Sequence, residues 1–249
     1  MTLQTPSSRD NNFKVYFGST LLFLGMTLSL FVICPLVVLA IVLPFRMRYR
    51  IAGLWVKWVL WLAKVCCGID YQVEGMEHID PSRTSIVLSK HQSAWETLAY
   101  REFLPMHSVL LKQSLLWLPI WGWAMAMLKP IAIDRKNQRA ALRKLLDKGG
   151  ESLKSGLWVL IFPEGTRTAP GESKKFSAGG ALLAQQSGYP VVPIAHNAGV
   201  YWPRYSFLKY PGTIKVKIGP PIESKGRKAA EINAEAEAWI SDAMKEIGN

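Results

Sequence analysis

From Ser19 to Phe45 the chain carries no charged residue. A run of 27 residues exceeds the roughly 20 that cross a hydrocarbon layer as a helix, so this segment is expected to sit in lipid. A cleaved signal peptide is the competing reading, but its apolar part usually runs to about 7 to 15 residues, and no small-x-small cleavage pattern follows here. Pro35 lies within the run, where it removes a backbone donor and can kink a span or turn a hairpin that never reaches the far side. Arg46, Arg48 and Arg50 follow at once and outweigh Arg9 and Lys14 on the other flank, which puts the C-terminal part on the cytoplasmic face of an inner or plasma membrane. Residues 51–67 continue with Trp55, Trp58, Trp61, Lys57 and Lys64 among aliphatics. That pattern suits a helix lying among headgroups, or an ordinary buried helix. Residues 1–68 thus read as membrane-anchoring helices, and 69–249 as one globular domain.

The charge supports lipid from a second direction. Thirty Lys and Arg against eighteen Asp and Glu leave +12, which implies an anionic partner, nucleic acid or phospholipid surface. A 49% hydrophobic content and ten tryptophans argue against a soluble nucleic-acid binder and favour a phospholipid membrane as the partner. Cys34, Cys66 and Cys67 are odd in number and sit in apolar stretches, so they form neither a disulfide framework nor a zinc-ligand pattern.

After Gly68, short β-branched runs at 84–88, 130–134, 157–162, 191–195 and 213–218 alternate with helical patterns, the grammar of an α/β fold. Helices are expected over 136–155 and 228–247, the latter with Ile232, Trp239, Ile240 and Ile247 on one core stripe. No phosphate-binding P-loop or dinucleotide fingerprint is present, and no cofactor or metal is implied.

Two short motifs carry chemistry. His91 and Glu96 are five residues apart, so on a single helix their side chains would diverge by about 140°; they can meet only if His91 precedes the helix that carries Glu96. The strand ending near Leu88 and a helix starting near Ser93 put His91 on that turn, where a carboxylate-oriented imidazole can act as a general base. Ser93 and Glu96 also fit a capping box, in which Glu96 would serve the helix end rather than His91. His78, His107 and His196 have no comparable local partner and read as structural. In the second motif, Phe162 to Arg167, a strand ends at Pro163 and Gly165 permits a tight turn. Arg167 is thereby presented at a strand's C-terminal edge, where a guanidinium can hold phosphate, or where Glu164 and Arg167 simply pair at the surface.

These residues resemble the 1-acylglycerol-3-phosphate O-acyltransferases of the glycerolipid acyltransferase superfamily. Lys90-His91-Gln92-Ser93 with Glu96 resembles that family's histidine box, and Phe162 to Arg167 matches its Glu-Gly-Thr-Arg box. Between them, Lys112, Leu118-Pro119 and Gly122 resemble a further block, as do Ile133-Asp134-Arg135 and Val192-Pro193-Ile194. The resemblance covers residues 70–225. Two departures stand out: Glu96 where the family usually has Asp, and Lys90 where many members have Asn.

The resemblance implies a central mixed β-sheet flanked by helices and a membrane-embedded N-terminal helical pair. It implies acyl transfer from acyl-CoA or acyl carrier protein to the sn-2 hydroxyl of lysophosphatidate, giving phosphatidate for phospholipid synthesis. The alternatives are another lysophospholipid or glycerol 3-phosphate as acceptor and, outside enzymes, a non-catalytic membrane-surface binding protein. His91 would take the hydroxyl proton with Glu96 behind it. Arg167, Arg135 and Lys112 would bind the phosphate, while Glu164, Gly165 and Thr166 would shape the glycerol pocket. By their composition, Leu115–Leu128, apolar but too short to span, reads as the lining of an acyl tunnel or as plain core, and the loop from Tyr201 to Tyr210 as a headgroup contact or as ordinary loop packing.

Overall fold

The computed structural model describes residues 12–134 and 136–248; Arg9 and Arg135 lie outside them. Helix α1 (Phe13–Leu39) opens with the Asn12 side chain accepting the Val15 N–H at 3.2 Å, a polar cap on an otherwise apolar element. It runs through Pro35 without a break, and the chain reverses after Leu39 to form α2 (Phe45–Cys67). The two helices pack antiparallel. A methyl group at Gly18 would run into the Cys66 carbonyl, and Trp55 Nε1 donates to Ser29 Oγ at 2.8 Å. Phe17, Phe23, Leu24, Leu28, Phe31 and Val32 point outward and exposed, the surface expected of a helix solvated by lipid. The helical run Phe13–Val42 is long and apolar enough to cross a membrane.

On α2, Trp58 and Trp61 are exposed and stacked at 5.0 Å, whereas Val56, Val59 and Leu62 are buried. One face of this helix is therefore outward and the other is core. Its lysines reach protein carboxylates, Lys57 with Glu102 at 3.4 Å and Lys64 with Asp70 at 2.8 Å.

Seven strands form one sheet: β1 (Ile69–Glu74), β2 (Ile86–Ser89), β3 (His107–Lys112), β4 (Ile131–Ile133), β5 (Trp158–Ile161), β6 (Val191–His196) and β7 (Gly212–Ile218). Their order is β1-β7-β6-β2-β5-β3-β4. From β6 to β4 all neighbours are parallel, while β7 runs antiparallel to β6 and carries β1 with it, giving the mixed sheet. The central strands are buried on both faces and alternate between them, as pleated geometry requires. Val87, Trp158 and Leu160 pack with Leu22, Val59 and Leu62 of the hairpin and Trp95 of α3 (Trp95–Phe103). Ile86, Leu88, Val159 and Ile161 face α5 (Gln138–Lys154), α6 (Gly179–Ser187) and α8 (Ala229–Ile247) through Leu145, Leu183 and Ile232. The hairpin is thus one cover of the sheet and shares its core.

Strands β1 and β3 and the short helices α4 (Trp121–Ala126) and α7 (Ala198–Tyr201) go beyond the elements expected from sequence. Pro193 is tolerated inside β6 because it falls between the Ile194–Ile218 pair and the Val191–Ile222 bridge, where no ladder donor is required.

Candidate active site

Parallel register brings the site together. Ile86, Val159 and Val191 are level across β5, β2 and β6, so the residues at or just beyond the C-terminal ends of these three strands emerge side by side at one sheet edge. They are His91, the turn Phe162–Arg167, and His196. The C-terminal edge of parallel strands is where open α/β sheets bind ligands.

His91 lies before α3, whose first residue is Trp95, so the imidazole and Glu96 face each other. Nδ1 is 2.7 Å from Glu96 Oε1, and the same oxygen accepts the Gln92 and Ser93 N–H groups at 2.9 and 2.8 Å. The capping and orienting roles therefore coexist on one carboxylate oxygen. The longer Glu side chain, fully buried, closes the loop from within the helix's first turn. Burial pushes the Glu96 carboxyl up, while the His196 and His91 rings and the Ser93 N–H pull it down, and the pull prevails. His196 is itself neutral: burial lowers it more than Glu96 raises it, and its ring holds the Lys90 carbonyl at 2.9 Å through Nε2 and the Ala198 N–H at 3.2 Å through Nδ1. The donors on Glu96 consequently carry most of the pull. An ionised Glu96 fixes the His91 proton on Nδ1 and leaves Nε2 as the acceptor. Phe162 stacks on the imidazole with centroids 4.0 Å apart, which holds the ring plane.

The two motifs are locked by a buried ion pair. Lys90 Nζ donates to Glu164 Oε1, to Thr168 Oγ1 at 2.9 Å and to the Glu172 carbonyl at 3.0 Å. Glu164 Oε2 accepts the His91 N–H at 2.9 Å, and the Thr168 N–H donates to the His91 carbonyl at 2.8 Å. Glu164, expected to shape a glycerol pocket, instead turns its carboxylate beneath the His91 loop, because a buried carboxylate must find donors and Lys90 and His91 supply them. Nor does it pair with Arg167. Gly165 provides the turn with φ +70°, and Thr166 and Arg167 emerge beyond it.

Thr166, Arg167, His91 and Lys112 line one cavity of about 400 Å³. The rest of its wall is mainly apolar: Leu30, Ile33, Cys34 and Val37 from α1, Ala52, Trp55 and Val56 from α2, and Leu115, Trp121, Ala124, Met125 and Leu128. The segment expected to line a tunnel thus contributes five wall residues, and the hairpin seven more. Tyr205, exposed and left-handed at φ +57°, stands at the cavity with Arg167, while Phe207 packs on Phe23 at 5.8 Å and the Lys209 N–H donates to Ser19 Oγ at 2.9 Å. The aromatic loop is therefore fastened to α1. Among the described residues, no three His, Cys, Asp or Glu side chains converge in a way that could hold a metal ion.

The sequence alone assigns no role in the site to Lys90, Thr168, Phe162 or His196. Lys90 carries a signal, its departure from Asn beside the histidine. His196 carries none, since only the β2–β6 register brings it to Glu96, at 4.0 Å.

Comparison with known proteins agrees with this geometry. The profile of the Acyltransferase family matches residues 70–197. A 1-acyl-sn-glycerol-3-phosphate acyltransferase from Pseudomonas aeruginosa is 50% identical over 229 residues, covering 90% of this chain and 86% of that protein. The chain belongs to the 1-acyl-sn-glycerol-3-phosphate acyltransferases. More distantly, the alpha form of this enzyme from Mus musculus is 31% identical over 179 residues, 71% of this chain and 63% of its own. The crystal structure of the 1-acyl-sn-glycerophosphate (LPA) acyltransferase PlsC from Thermotoga maritima superposes with a TM-score of 0.77 over 92% of this chain and 94% of that one, at 22% identity. The family's fold therefore extends to the N-terminal hairpin as well as the sheet.

Proposed function

We propose that the protein transfers an acyl chain from acyl-CoA or acyl carrier protein to the sn-2 hydroxyl of lysophosphatidate, producing phosphatidate. The observation that carries this reading is one cavity that joins a carboxylate-oriented imidazole and a guanidinium at one end to a mainly apolar interior.

His91 Nε2 removes the hydroxyl proton as the oxygen attacks the thioester carbonyl. The C–O bond forms, the C–S bond breaks, and the imidazolium returns its proton to the departing thiolate. Glu96 holds the tautomer and offsets the transient positive charge. Arg167, with Lys112 and Arg135, binds the phosphate, as favoured by the fork geometry of a guanidinium. Gly165 and Thr166 shape the adjoining turn, and Glu164 acts from below by holding the His91 amide. Residues 1–68 anchor the catalytic part, 69–249, in an inner or plasma membrane with the site on the cytoplasmic side.

The test is thioester-dependent conversion of lysophosphatidate to phosphatidate by the purified protein in lipid. His91→Ala should reduce turnover by about 10² or more. Arg167→Ala should weaken lysophosphatidate far more than monoacylglycerol. Equal weakening of the two acceptors, or an inactive wild type with both donor types, would reject the reading.

A further inference from the structure

The cavity has a second polar end. Strand β3 runs along its wall from Lys112, at the edge that carries Arg167, back to His107, a distance of about 16 Å at the usual rise of a strand. Helix α3 leads the same way, from Trp95 beside His91 to Arg101 in its last turn. At that far end Arg101, His107 and the Tyr49 side chain meet: the guanidinium carbon lies 4.5 Å over the Tyr49 ring, and Tyr49 Oη is 3.1 Å from His107 Nδ1.

The guanidinium here is not met by acceptors as the Lys90 ammonium is. Arg101 is partly exposed, and among the described residues its Nη1 is buried without a hydrogen-bond acceptor. Glu102 next to it is paired outward with Lys57. His107 Nδ1 lies 2.9 Å from the Pro105 carbonyl, which can only accept, so the ring proton is on Nδ1 and Nε2 is an acceptor. Burial and the Arg101 charge push His107 down to about 3, which keeps it neutral. A buried N–H without an acceptor is unfavourable, and a ligand that supplies one to this side chain is correspondingly favoured. Both Arg101 and His107 line the cavity.

We propose that the part of the cavity lined by Arg101 and His107 is a subsite for a hydroxyl group carried near the far end of the acyl chain. The hydroxyl oxygen accepts from the guanidinium while its proton goes to His107 Nε2. A plain hydrocarbon end offers neither group. This assignment rests on the acyltransferase reading of the cavity.

The experiment is acylation of lysophosphatidate in lipid vesicles by the full chain, using saturated acyl-CoA thioesters of increasing length in matched pairs, with and without a hydroxyl on the terminal carbon. The quantity read is the ratio of kcat/KM, hydroxylated over plain, at each length. In wild type the ratio should rise at the length that reaches Arg101, and there Arg101→Met should lower it about tenfold, the worth of one hydrogen bond to a charged donor. Arg101→Gln, which keeps a neutral donor, should lie between. A wild-type ratio that stays flat over all lengths overturns the subsite, whether or not the variants fold. So does a rise that Arg101→Met retains in full, since ordered water would then be holding the hydroxyl. No turnover of any plain thioester would overturn the acyltransferase reading and the subsite with it.

Discussion

The two ends of the cavity treat buried charge in opposite ways. At the His91 end the Lys90 cation meets a carboxylate, a hydroxyl and a carbonyl, and one Glu96 oxygen takes three donors while the other, among the described residues, has none. At the Arg101 end a guanidinium rests on a tyrosine ring and, among the described residues, its buried Nη1 has no acceptor. The first arrangement fixes geometry before any substrate arrives, which a proton transfer needs. The second leaves interaction energy unspent for whatever enters. Preorganisation for reaction and readiness for binding are thus separated along one cavity.

The sharpest way to break this contrast is Lys90→Met. Removing the ammonium leaves Glu164 buried and unpaired, with an expected loss of about 3–5 kcal/mol in unfolding free energy. The double variant Lys90→Met with Glu164→Gln should recover more than half of it. Denaturant titration of the three proteins decides, and strictly additive losses would mean that the pair is not coupled.

Glu96→Gln keeps the size and one accepting oxygen but removes the charge behind the base. Turnover should fall by about 10² or more, while the melting temperature changes little. A collapse in stability with unaltered turnover of the folded fraction would make Glu96 a cap alone.

His107 gives a pH-dependent test at the other end. Its folded-state value, about 3, is below the ordinary value near 6.5, so the unfolded chain binds the extra proton first. Below pH of about 6.5 its contribution to stability should decline by about 1.4 kcal/mol per pH unit, until the folded pKa is reached. His107→Gln should flatten that slope; the residual slope belongs to His196 and, below pH of about 4.5, also to Glu96, Asp70 and Asp80, whose values are likewise lowered.

The smallest effect belongs to Arg101→Met. Losing an unpaired cation and its ring contact should leave stability unchanged or raise it by about 1 kcal/mol. A fall of more than about 2 kcal/mol would show that the guanidinium is satisfied, and the two ends would then be alike.

What the sequence reveals follows this same division. The His91–Glu96 pair and the Phe162–Arg167 turn are local, so residue spacing and helix geometry are enough to place them. The strands with β-branched runs are legible for the same reason. Strand β3 is harder, because His107-Ser108-Val109-Leu110-Leu111-Lys112 has no clean alternation and takes its form from pairing with β5 and β4. The contacts that join the site, Lys90 to Glu164 and His196 to Lys90, link residues 74 and 106 positions apart and exist only once the register is set. Arg101 and His107 are illegible in isolation: each reads as an ordinary surface or core residue until α2 brings Tyr49 between them.

Seven residues of the hairpin form part of the cavity wall, so the element apolar enough to enter a bilayer is also a wall of the candidate site. For an enzyme built this way, the acceptor's relevant concentration is its share of the surrounding leaflet rather than its amount per volume of buffer. Diluting lysophosphatidate with inert lipid at constant bulk concentration should therefore slow the enzyme, and adding more vesicles of the same composition should not.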